Sequence, residues 1–130
     1  MVKGGGTFAT GRQLLAPFVL DTPVLTLTGV GQLRASCASG VTSINFLNEA
    51  GAAAEVVAWG FNGLAAVSQQ TPTVANNSPT APIDSAGTNV LGLTYQVLSP
   101  ANVTTIDVSA GPQPPAGTSC GVAASGLTTG

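Results

Sequence analysis

The chain has no histidine and very little charge, with 3 Lys and Arg and 5 Asp and Glu making 6% of its 130 residues. Soluble domains ordinarily carry about 25% charged residues, so this surface must be covered largely by Thr, Ser, Asn, Gln and Gly. Without histidine there is no Ser-His-Asp or Cys-His nucleophile system, and the commonest neutral-pH general base and the usual zinc ligand are missing. Two cysteines cannot complete a tetrahedral zinc site unless carboxylates or another chain help. The acids Asp21, Glu49, Glu55, Asp84 and Asp107 are scattered and show no paired-carboxylate motif, so no enzymatic activity is expected. Lys3, Arg12 and Arg34 are too few to neutralise a run of phosphates, which excludes nucleic acid and polybasic attachment to anionic lipid. No apolar run reaches the ~18 residues needed to cross a bilayer. The nearest, residues 50–67, is interrupted by Glu55, Asn62 and glycines, so no membrane insertion is expected. No EF-hand loop occurs, and no Gly-Lys-Ser/Thr follows the Gly4-Gly5-Gly6 run. No cofactor and no metal are therefore expected, a calcium ion held by Asp84 and loop carbonyls being the one alternative.

What the chain does contain is 44% apolar residues, 17 glycines and 9 prolines. Disorder combines low hydrophobicity with high net charge, and neither holds here, so the chain should fold around one core. Short segments alternate apolar with polar residues and end in turn signals every ten or so positions, the mark of an all-β sandwich or barrel. Leu33, Ala35 and Cys37 share one face of a strand whose other face carries Arg34 and Ser36. After Ser39-Gly40, residues 42–48 repeat the pattern, with Ile44 and Phe46 opposite Ser43, Asn45 and Leu47. Leu91, Leu93, Tyr95 and Val97 form a third set, and Thr104, Ile106 and Val108 a fourth. A last strand is expected over 117–124, with shorter ones at 5–10 and 24–28. Residues 54–60 and 64–69 read as a hairpin turning at Asn62-Gly63, and the Pro-, Asn- and Ser-rich stretch 70–89 as a long surface loop. The expected organisation is an N-terminal tail or linker at 1–6, an antiparallel β-sandwich of immunoglobulin-like or jelly-roll-like type at 7–126, and a C-terminal tail at 127–130.

Cys37 and Cys120 both fall on the inward phase of their strands, which predicts one inter-strand disulfide. Closing a loop of this length is worth about 4 to 5 kcal/mol in the chain-entropy model. The alternative is two buried free thiols. Trp59 and Phe61 flank Gly60 and read either as core residues of a central strand or, with Tyr95, as aromatics of a ligand surface. Val56, Val57, Ala58, Trp59 and Phe61 are apolar on both strand phases, so one phase is expected to meet either a second copy of the chain or a second layer of the same one. Val57, Trp59, Phe61 and Tyr95 are accordingly the candidate partner or ligand surface. Two N-glycosylation acceptors, at Asn76 and Asn102, match by sequence alone.

The order Gly29-Val30-Gly31-Gln32-Leu33-Arg34-Ala35-Ser36-Cys37, then Ile44-Asn45-Phe46-Leu47-Asn48, then Thr118-Ser119-Cys120-Gly121-Val122-Ala123-Ala124, resembles small exported disulfide-containing domains of high-GC Gram-positive bacteria. The resemblance implies an extracellular or cell-surface β-sandwich and carries over no catalytic or binding residue. The opening Met-Val-Lys-Gly-Gly-Gly has no apolar signal region, so the chain reads as a segment of a longer precursor or as a complete product. Three functions compete: a structural or adhesive module of an exported protein, a carbohydrate- or ligand-binding module using exposed aromatics, and a viral capsid or appendage subunit. Self-association is expected, and a surface glycan or protein is the alternative partner.

Overall fold

The computed structural model describes residues 6–85, 87, 89–113 and 117–129. Eleven strands follow in order among them: β1 (Gly6–Ala9), β2 (Gln13–Leu15), β3 (Phe18–Leu27), β4 (Gly31–Ala38), β5 (Val41–Asn48), β6 (Ala54–Asn62), β7 (Ala65–Val74), β8 (Ile83–Asp84), β9 (Leu91–Leu98), β10 (Val103–Pro112) and β11 (Cys120–Thr129). They form two antiparallel layers. The larger runs β1-β11-β10-β9-β6-β7, with β2 also pairing β11, and the smaller runs β3-β4-β5-β8. The chain is thus an all-β sandwich, and among the described residues no helix is long and apolar enough to cross a membrane.

The alternating segments fold as their period dictates. In β9, Leu91, Leu93, Tyr95 and Val97 point inward and are all buried, while Gly92, Thr94 and Gln96 face out. From the facing layer, Leu33, Ala35 and Cys37 of β4 and Ile44 and Phe46 of β5 close the core. Cys37 and Cys120 are bonded, their Cα atoms 5.9 Å apart, and because one lies in each layer the bond ties the two sheets together. Tyr95 also bridges the layers, its hydroxyl donating to the Ile44 carbonyl at 3.3 Å.

Several boundaries differ from the sequence reading. Strand β3 starts at Phe18 and carries Pro23 within it, which is tolerated because β3 is an edge strand with register shifts on either side of Thr22-Pro23. Strand β7 likewise runs past Gln70 and through Pro72 to Val74, taking five residues from the expected loop; it too is an edge strand, irregular where Pro72 lies. Residues 127–129, expected as tail, continue β11, where Leu127 pairs with Thr105 and Thr129 with Val103. Gly6, assigned to the N-terminal tail, opens β1 opposite Thr128. Residues 1–5 and 130 of the expected tails lie outside the described residues. Together β1 and β2 pair along one edge of β11, so that edge is covered by the chain's own N-terminal segment.

Candidate functional site

The inward phase of β6 is Ala54, Val56 and Ala58, three small or medium side chains packed into a core already filled by Tyr95 and Phe46. The opposite phase puts Val57, Trp59 and Phe61 on the outer face of the seven-stranded sheet. Trp59 is 42% and Phe61 58% exposed, and Val57 is half-buried. Among the described residues no second layer covers the two rings. Tyr95, grouped with these residues by sequence, is fully buried on the other face and is removed from the candidate surface. The reason is its register: it lies on the Leu91-Leu93-Val97 phase, where desolvation by burial pushes its phenol well above the ordinary tyrosine range.

The pairing register sets the neighbours of the rings. Trp59 lies opposite Ser68 on β7 and Thr94 on β9, and Thr94 in turn lies opposite Asp107 on β10. Thr94 Oγ1 donates to the Asp107 carboxylate at 2.7 Å. Val57 stands between Gln70 and Gln96, and Gln70 donates to Glu55 at 3.2 Å. Opposite Phe61 is Gly92, which carries no side chain, followed on β10 by Ser109 and on β11 by Ala123. Ser109 and Ala123 of this row line two adjoining shallow depressions of about 240 and 300 Å³, one bordered by Arg12 and the other by Asp107. The whole face therefore offers two aromatic rings beside a low floor, with hydroxyls, amides, one carboxylate and one guanidinium around them.

Backbone geometry holds the rings in place. Gly60, between Trp59 and Phe61, has φ +154°, and a Cβ there would run into the Gly92 carbonyl and the Leu93 Cα. Strands β6 and β9 can approach this closely only because position 60 is glycine.

No family model, curated protein or solved structure matches the chain.

Other sequence candidates are accounted for structurally. Thr104, the third residue of the Asn102 acceptor, is fully buried with its hydroxyl 3.0 Å from that of Thr128, and Asn102 accepts from Ser99 at 2.7 Å. At the other acceptor, Asn76 Oδ1 takes the Gly51 amide at 2.9 Å. Gly6–Ala9 and Gln13–Leu15 lie along the chain's own β11. Among the described residues no group of three or more Cys, Asp or Glu side chains is placed to hold a metal ion.

Proposed function

We propose that this chain is a non-catalytic adhesive or structural module of an exported or cell-surface protein, making contact through the outer face of the seven-stranded sheet. The observation that carries this reading is Trp59 and Phe61 standing two residues apart on one strand, both exposed on one sheet face. Exposed neighbouring aromatics give up apolar contact in the free molecule and regain it against a partner, which is why they concentrate at binding surfaces. Their surroundings are mostly neutral hydroxyls and amides, from Ser68, Thr94, Gln96 and Ser109, which suits a flat, hydroxyl-rich, uncharged partner such as a surface glycan. A disulfide joining the two layers agrees with an oxidising location outside the cytoplasm.

Trp59 is the one tryptophan of the chain, so its emission reports directly on this face. Titration with soluble neutral polysaccharides is expected to shift and intensify that emission, and Phe61→Ala to abolish the response while leaving the melting temperature nearly unchanged. A response from charged polysaccharides alone, or none from any, overturns the glycan reading.

The same face supports a second reading, contact with another copy of the chain, favoured by Leu64 and Val90, which are 101% and 55% exposed and extend the apolar surface beyond Phe61 at the β6–β7 turn. Sedimentation at micromolar concentration separates the two. A dimer dispersed by Val57→Glu selects self-association; a monomer unaffected by that change rejects it.

A further inference from the structure

Strand β7 closes one side of the seven-stranded sheet, 10 residues long and, among the described residues, paired with β6 alone. The pairing register identifies which of its backbone groups face outward. The Gly63 amide donates to the Val90 carbonyl at 2.9 Å, so Asn62 and Leu91 are a non-hydrogen-bonded pair and Asn62 turns its own N–H and C=O toward β7. Alternation from its partner Ala65 then directs the backbone groups of Ala65, Val67, Gln69 and Thr71 to β6, and those of Ala66, Ser68 and Gln70 to the open side. Among the described residues no hydrogen bond reaches the backbone N–H or C=O of these last three.

Proteins ordinarily blunt such edges with charge, proline, a bulge or short length. The other edges of this molecule are blunted. Strand β3 has Pro23, the positive φ of Asp21 and its register shifts, β8 has 2 residues, and β1 and β2 have 4 and 3. From Ala65 to Thr71, β7 has none of these devices, and no charged residue lies between Glu55 and Asp84. An unguarded edge of this kind is a template for a further strand.

The strand that fits it is its own copy. Two β7 strands related by a two-fold axis at Ser68 run antiparallel, with Ser68 opposite Ser68 and Ala66 opposite Gln70, so that each outward N–H of these residues meets a C=O. Moving the axis along the strand either loses a pair or brings in Pro72, which has no N–H to give. With the axis at Ser68, Pro72 lies instead opposite Leu64 of the second copy, and Leu64 is 101% exposed in the single chain. Because the strand is neutral, its self-pairing sets no like charges opposite one another.

We propose that β7 pairs with β7 of a second copy, joining two seven-stranded sheets into one continuous sheet across a two-fold axis at Ser68. The axis uses up the open edge of both copies and the remaining edges are blunted, so assembly stops at a dimer. The contact is edge to edge and leaves the outer faces open, Trp59 included. It is therefore independent of the glycan reading and distinct from a contact through the Val57 face. A ladder this short lies at the low end of specific interfaces, so roughly 0.1 mM protein is expected for half-association.

The test is sedimentation of the full chain from about 5 μM to about 1 mM, with amide hydrogen exchange followed by NMR at both ends of that range. A monomer–dimer equilibrium is expected, in which the Ala66, Ser68 and Gln70 amides exchange fast in the dilute sample and slow together in the concentrated one, while Val67 and Gln69 stay protected in both. Ser68→Pro removes the central outward N–H without touching the ladder to β6, and Ser68→Lys sets two cations opposite each other. Each is expected to weaken dimerisation by about tenfold or more, and Val57→Glu to leave it unchanged. Should the proline lower the melting temperature, the lysine, at an exposed position, decides the matter. A monomer at every concentration, a dimer that survives both Ser68 changes whether or not Val57→Glu disperses it, or protection of the three amides already in the dilute sample overturns the proposal.

Discussion

Tyr95 allows a test of the core in which one chemical group is both perturbation and probe. It is the one tyrosine of the chain, fully buried, and it donates to the Ile44 carbonyl across the sandwich. Burial raises its pKa above the ordinary value of 10.0, so the folded state resists losing the phenolic proton. The stability this contributes is complete below about pH 10, where both states keep the proton, and is lost as the pH rises from there toward the folded-state value. Over that window the unfolded state ionises while the folded state does not, and stability falls by about 1.4 kcal/mol per pH unit, or about 2 kcal/mol by pH ~11.5. Urea unfolding at a series of alkaline pH values measures the slope, and ultraviolet absorbance of the phenolate shows when the ring ionises. Tyr95→Phe is the control: it should lose about 1 kcal/mol at neutral pH with the hydrogen bond and remove the alkaline slope attributable to this ring. Phenolate absorbance rising near pH 10 while the near-ultraviolet dichroism of the fold persists would refute the argument, because the ring would then be ionising in the native state.

Intact mass after alkylation without reductant should show no reactive thiol, and replacing both Cys37 and Cys120 by alanine should cost about 2 to 5 kcal/mol in urea unfolding, since the bond links positions 83 apart. Gly60→Ala should destabilise by about 2 kcal/mol or more through its contact with the Gly92 carbonyl, whereas Gly92→Ala, whose Cβ meets nothing within 4 Å, should change the melting temperature little. Asn48 is fully buried, donates to the Ala52 and Val74 carbonyls at 2.8 and 2.9 Å and accepts from the Ala50 amide at 3.0 Å; Asn48→Ala leaves all three unpaired and should lower stability by about 2 to 4 kcal/mol.

The parts of the fold legible in the sequence are those where period-2 alternation is uninterrupted. Residues 33–37, 42–48, 91–97 and 104–108 each face as their alternation dictates, and from the first of these and the strand expected at 117–124 the cysteine pairing follows. Alternation fails as a guide where a strand is bulged. In β3, Asp21 has a positive φ and the register slips twice, so Phe18 to Leu27 reads as broken segments although it forms one strand. Prolines misled in the same way, because Pro23 and Pro72 break a ladder only where a neighbour waits for the missing N–H, and both lie on edge strands. The direction of Trp59 was hidden by apolar residues on both phases of β6. Its signal was the small-side-chain phase Ala54-Val56-Ala58: a core already holding a tyrosine and a phenylalanine has room for those and not for an indole. Nothing local marks Asn45, whose alternation is that of any outward residue. Its low exposure goes with a segment more than 30 positions later that runs beside β5, where Thr80 bonds to Phe46.

Low charge shapes how the two layers are joined and what is left outside. Among the described residues neither Arg12 nor Arg34 pairs with a carboxylate, so ion pairs do not hold the sandwich together. The layers are coupled by the disulfide, by the Tyr95 hydroxyl on the Ile44 carbonyl, and by the side-chain amides of Gln13, Asn48 and Asn62, which donate to the Val24, Val74 and Asp84 carbonyls. These links join the two sheets without crossing either outer face. One face then has room for two exposed rings among neutral hydroxyls and amides, and the other for two exposed carboxylates, Asp21 and Asp84. The few charges the chain carries therefore act locally: Asp21 and Asp84 are exposed and unpaired with either arginine, and water and salt screen their fields.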